Sequence, residues 1–95
     1  MPLTKKQEKK LFERMISGDK KARQELIAAN LFLVENVAKK YTDNKKKLNL
    51  KELIALGKKG LEKAVDKCKP VSDYKFSTYS TWWIREEIHK KLGIK

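Results

Sequence analysis

The stretch DYKFSTYSTWWIREEI, residues 73–88, decides how this chain is read, because Tyr74, Phe76, Tyr79, Trp82 and Trp83 place five of its eight aromatic residues within ten positions. The turn chemistry of KPVSD just upstream ends whatever precedes it, so the periodicity predicts a helix from about Phe76 to Leu92, with Gly93 beyond. On that helix Tyr79, Trp83, Glu86 and Glu87 fall near one line, while Trp82 lies about 100° from Trp83. The rings cannot all face one core. At least one large ring should be exposed, with Phe76 and Trp83 the two expected to lie partly in the core.

Working outward, apolar residues recur at three- and four-residue spacing and only Pro2 and Pro70 interrupt the chain, which predicts an all-α fold. A first helix is expected over about 4–17, started by Thr4 and stopped by Gly18, with Leu11, Phe12, Met15 and Ile16 as its stripe. Asp19 caps a second, about 20–41, carrying Leu26, Ile27, Leu31, Val34, Val37, Ala38 and Tyr41 on one face as a central strut. The lysine-heavy loop TDNKKK follows. Asn49 and Glu52 then make a variant capping box for a third helix, about 49–69, in which Gly57 and Gly60 suit close helix approach and Cys68 reads as core. The expectation is one domain over residues 1–95, a compact bundle of about four helices.

Charge bounds the partners. The 24 lysines and arginines against 12 acidic residues leave a net +12, for which polyanions are the natural partners. Lysine that merely solvates the surface is the bland alternative. No apolar run approaches the roughly 18 to 20 residues of a membrane span, and the lysine-rich amino end lacks a signal peptide's apolar core, so a cytoplasmic protein with no membrane partner is expected. One cysteine and one histidine supply neither a disulfide framework nor a metal-ligand cluster. With no nucleophile and base pair, no Gly-rich phosphate loop and no carboxylate-rich site, neither an enzyme nor a cofactor is expected.

NLFLVENVAKKYT, LKELIALGKKGLEKAVDK and YKFSTYSTWWIREEI resemble, in order and nearly in spacing, the second conserved region of the sigma-70 factors. LTKKQEKKLFERMISGDKKARQELIAAN resembles the segment that precedes it, so essentially the whole chain is covered. The resemblance implies a transcription initiation subunit. Such a bundle docks on a coiled coil of the largest subunit of core RNA polymerase and captures the non-template strand of the −10 promoter element. It implies that Tyr79 stacks on a flipped base, that Tyr74 and Phe76 wall its pocket, and that Trp82 and Trp83 wedge against the last paired step. Asn30, Leu33, Lys39 and Lys40 would lie along the captured strand. Lys75, Thr78, Arg85, Glu86, His89 and Lys90 complete the expected DNA-binding set, and Lys51, Glu52, Ala55, Leu56, Lys58, Lys59 and Glu62 the polymerase-binding set.

The chain also departs from the family pattern. Val71, Ser72 and Asp73 stand where the family usually has a basic pair and a glycine, which weakens the expected phosphate grip there. Glu86 and His89 replace residues that read the upstream base pair, and Ala55 and Leu56 give the docking face a more apolar character, with Leu56 off the core stripe. The loop TDNKKKLNL is longer than usual. Complete sigma factors continue into a helix-turn-helix that reads the −35 element, whereas this sequence stops at KKLGIK, so the expectation is either an excised fragment or a stand-alone region acting with a second protein that supplies that reader, with the second favoured. A polymerase-binding regulator or decoy that does not open promoters is the alternative. A basic module for membranes or RNA would explain the charge but not the ordered aromatics.

Overall fold

The computed structural model describes residues 3–68 and 75–94. The first helix, α1 (Lys5–Ile16), begins where Thr4 and Gln7 form a reciprocal capping box, the Thr4 Oγ1 accepting from the Gln7 amide at 3.1 Å and the Thr4 amide donating to Gln7 Oε1 at 2.9 Å. It ends at Gly18, whose φ of 103° is open to glycine and costly for other residues. Asp19 then caps α2 (Lys20–Ala29), accepting from the Lys21 and Ala22 amides.

The strut expected over 20–41 is two helices. The chain breaks at Asn30, whose side-chain amide donates to the Leu26 carbonyl at 2.7 Å while its backbone N–H turns to Ile27 instead. The side chain has taken the acceptor that its own backbone would use in a continuous helix, so the ladder stops and restarts. Helix α3 (Leu31–Ala38) follows, tightening into a 3-10 turn at Lys39–Tyr41. Helix α4 (Leu50–Lys67) opens on the Asn49 and Glu52 capping box and ends at Cys68, and α5 (Phe76–Leu92) closes on Gly93 in the left-handed region. No strand occurs among the described residues, so the architecture is all-α.

Packing follows from the spacing. Phe76, Ser80, Ile84 and Ile88 lie four apart on one side of α5 and are buried, with Leu53, Leu61, Ala64 and Val65 from α4 and Val34, Val37 and Ala38 from α3. Helices α4 and α5 run antiparallel and nearly touch. A Cβ added at Gly60 would sit 2.4 Å from the Trp83 carbonyl oxygen and 2.7 Å from the Ile84 Cα. The ring of Phe12 meets Phe76 edge-on at 5.3 Å, tying α1 to the start of α5. Arg23 clamps Asp66 with two hydrogen bonds of 2.7 and 3.0 Å, joining α2 to α4, and Lys63 pairs with Glu87 between α4 and α5.

The ion pairs give a pH dependence with a definite sign. The guanidinium of Arg23 holds the Asp66 carboxyl below its usual range, and that of Arg14 does the same for Asp19. A carboxyl lowered by folding adds stability above its unfolded pKa, near 3.9, and loses it as pH falls through the folded value. Thermal unfolding followed by circular dichroism should therefore change little between about pH 8 and 5 and fall to lower temperature below about pH 4. In Asp66→Asn the acid limb should be shallower. The effect is small, because both pairs are partly solvated.

Candidate nucleic-acid interface

The sequence of α5 divides its surface into an inner line of buried residues and an outer line that no other helix covers. Lys75, Thr78, Trp82 and Arg85 are exposed on the outer line, with Glu86 and His89 half-exposed beside them. Trp82 retains 49% of its surface, although burying a tryptophan is among the larger single gains available to a small core. Its ring stands perpendicular to that of Trp83, centroids 5.0 Å apart, and Tyr79 meets Trp83 edge-on at 6.2 Å. Three rings thus form one interlocked array.

Trp83 is the keystone of the array. It packs against the core, carries the Lys67 ammonium over its face at 5.7 Å, and buries an indole N–H that finds no acceptor among the described residues. Trp82 and Tyr79 lean on this fixed ring, so their exposed surfaces are held in place and less rotamer entropy is lost when a flat partner arrives.

A cleft of about 490 Å³ opens where α1, the α2–α3 break and the start of α5 converge. Its walls include Leu3, Glu8, Asn30, Phe32, Leu33 and Phe76, with Lys5, Lys75 and Ser77 also lining it. The cleft exists because Asn30 breaks the strut there and because Phe12 holds α1 against Phe76. Burial pushes the Glu8 carboxyl up from its usual value, which eases proton uptake at the one acidic wall residue among the described residues. At the far end of α5 the Tyr41 hydroxyl and His89 Nε2 lie 2.7 Å apart, with their rings edge-on at 5.3 Å.

The expected site residues sort accordingly. Asn30, Leu33, Lys75 and Phe76 meet at the cleft, but Asn30 is not the free surface group expected along a strand, and Phe76 lies in the core as its aromatic crowding suggested. Asn30 is buried, its amide committed to Leu26, and Phe76 is 3% exposed, its ring in the core against Phe12. Lys39, Lys40 and Lys90 are exposed at the other end, and Tyr74 lies outside the described residues. On α4, Lys51, Glu52, Ala55, Lys58 and Lys59 are exposed and Glu62 is half-exposed, sharing one outward face, while Glu52 also closes the helix cap. Leu56 departs from that face: it is half-buried and packs on the core rather than standing off it. Phe32, Ser77, Lys67 and Tyr41 were not among the residues expected. Pairings such as Tyr41 with His89, 48 positions apart, leave no local periodicity to read.

The family model for Sigma-70 region 2 matches residues 26–93. The chain belongs to that family. It is similar to the RNA polymerase sigma factor RpoD of Neisseria gonorrhoeae, 47% identical over 88 residues that cover 90% of this chain and 13% of the relative. It is also similar to the RNA polymerase sigma factor RpoS of Coxiella burnetii, 42% identical over 90 residues that cover 95% of this chain and 25% of the relative. The chain therefore spans a quarter or less of the length of these relatives. The matched residues contain the α2–α3 break, the whole of α4 and α5 and the ring array, whereas Leu3, Lys5 and Glu8 of the cleft wall precede them.

Proposed function

We propose that this domain serves a transcription initiation factor, binding core RNA polymerase through the outward face of α4 and capturing the melted non-template strand of a −10-type promoter element on α5. The observation that carries the reading is the ring array, in which an exposed Trp82 and a half-exposed Tyr79 are braced by Trp83 on a chain of net charge +12. Taking a base out of a duplex costs a few kcal/mol, and stacking on a protein ring returns roughly 1 to 3 kcal/mol per base. Two rings, and a cleft at the start of the same helix large enough for a base, suit that exchange. Lysines along the path supply the phosphate contacts. Binding energy alone drives it, so no catalytic group is required.

The alternative, a polymerase-binding decoy, draws on Val71, Ser72 and Asp73, which place an acidic residue where a basic grip would help. Probing a duplex promoter with permanganate, which attacks unstacked thymines, separates the two. The initiation factor yields reactive thymines in the −10 segment when core polymerase is present; the decoy binds polymerase and yields none. Ala55→Arg tests the α4 face. An unpaired charge placed in a buried contact is strongly unfavourable, so polymerase capture should weaken by about tenfold or more. Helical content by circular dichroism should be unchanged, because Ala55 is exposed. Capture equal to wild type would place the polymerase contact elsewhere.

A further inference from the structure

The end of the molecule that holds the start of α4 and the close of α5 carries a cluster of exposed lysines. Because α4 and α5 run antiparallel, the loop Lys45–Lys46–Lys47 before α4 lies at the same end as Lys90 and Lys91. The Tyr41–His89 contact brings the preceding turn, with exposed Lys39 and Lys40, to that end as well. All five of Lys45, Lys46, Lys47, Lys90 and Lys91 are exposed. Among the described residues only Lys90 has an acidic partner, a marginal contact of 4.0 Å with Glu87, which is itself paired to Lys63. Asp43 is the one acidic residue in the loop.

The loop is also built. The Asn44 side chain donates to the carbonyls of Tyr41 and Leu48 and accepts from the Leu48 amide at 2.9 Å, and the Lys47 amide closes on the Asn44 carbonyl. This turn puts Lys47 at φ 55°, a position that glycine or asparagine would occupy more easily, yet a charged side chain is carried there. A fixed turn presenting three adjacent ammonium groups is a phosphate-binding device more than a solvated tail.

We infer that the Lys45–Lys47 loop, with Lys90 and Lys91, grips the phosphate backbone of double-stranded DNA adjoining the captured strand. This rests on strand capture by α5. From Trp82 to Lys90 the helix rises about 12 Å, the length of roughly three to four base pairs, so duplex leaving the rings towards the close of α5 reaches the lysines almost at once. Duplex carries twice the charge per unit length of a single strand, which favours a dense lysine cluster. At the opposite end of α5, Lys75 and the α1 lysines Lys5, Lys6, Lys9 and Lys10 stand with Glu8 among them.

The test uses the full chain, the variant Lys45→Gln/Lys46→Gln/Lys47→Asn, and three fluorescent probes: a −10-type single strand, the same strand joined to about ten base pairs of duplex, and that duplex alone. Asparagine suits the left-handed position at 47. For the joined probe the variant should bind on the order of tenfold or more weakly, and log K should fall with log salt less steeply, by about 2 to 3. Single-strand binding should stay within about twofold of wild type. Unchanged affinity and salt slope on the joined probe, or equal losses on all three probes, would overturn the inference. So would a loss confined to polymerase capture, which would make the loop a protein contact. If wild type fails to bind the single strand while the variant still loses duplex affinity, the strand-capture reading falls and the lysine grip stands.

Discussion

Gly60→Ala should lower the thermal unfolding midpoint by about 10 °C, a large effect for the addition of one methyl group. The added carbon would meet backbone atoms of α5, the Trp83 oxygen at 2.4 Å and the Ile84 Cα at 2.7 Å, and backbone cannot rotate aside. The helices must separate, loosening the packing of Leu61, Ala64 and Ile84, all fully buried. Overpacking costs about 1 to 3 kcal/mol, and contacts this short with backbone put it at or above the top of that range, while alanine's better helix propensity returns about 1 kcal/mol. A net loss near 2 kcal/mol corresponds to about 10 °C in a domain of this length. Gly57→Ala should cost less, since its added carbon meets side-chain rather than backbone atoms, a Val34 methyl at 2.8 Å and an Ile84 methyl at 3.1 Å. Equal midpoints for wild type and Gly60→Ala, by calorimetry, would show that the helices are further apart than described. Because Trp83 belongs to the clashing segment, the substitution should also disturb the ring array.

The second large effect is expected at Tyr79. Replacing it with alanine removes a ring that stacks on a base, worth roughly 1 to 3 kcal/mol, so single-strand affinity should fall about 5- to 150-fold. Tyr79 is half-buried and rests against Trp83, so alanine also costs some packing. Tyr79→Phe separates the two contributions. Phenylalanine keeps the ring and the edge-on contact, and it should bind the strand within a few-fold of wild type.

The sequence carried the helices and the ring-bearing segment well, for identifiable reasons. Thr4 with Gln7, Asp19, and Asn49 with Glu52 are side-chain caps that act within three residues, and each stands where a helix begins. The aromatic excess of α5 over what one core face can hold announced an exposed ring, which is Trp82. Three features were not legible. Asn30 breaks a helix without glycine or proline, by a side-chain bond that competes with the ladder and that composition does not foretell. Leu56 lies off the α4 stripe on a helical wheel, but the bundle covers more of α4 than a single stripe, so it is half-buried. The cleft depends on Phe12 meeting Phe76 across 64 positions of sequence, a tertiary contact with no local signature. Of the residues expected along the strand, Asn30 and Leu33 meet at this cleft while Lys39 and Lys40 lie at the other end, and Asn30 and Phe76 form cleft walls from the core side.

The central claim is strand capture by the α5 rings, and it is tested most directly by titrating wild type, Tyr79→Ala and Tyr79→Phe, each with core polymerase, against a fluorescent −10-type non-template strand and its complement. Wild type and Tyr79→Phe should prefer the non-template strand by at least tenfold, with Tyr79→Ala losing most of that preference. Equal affinity of wild type for the two strands, or a Tyr79→Ala variant that binds as wild type does, would contradict it.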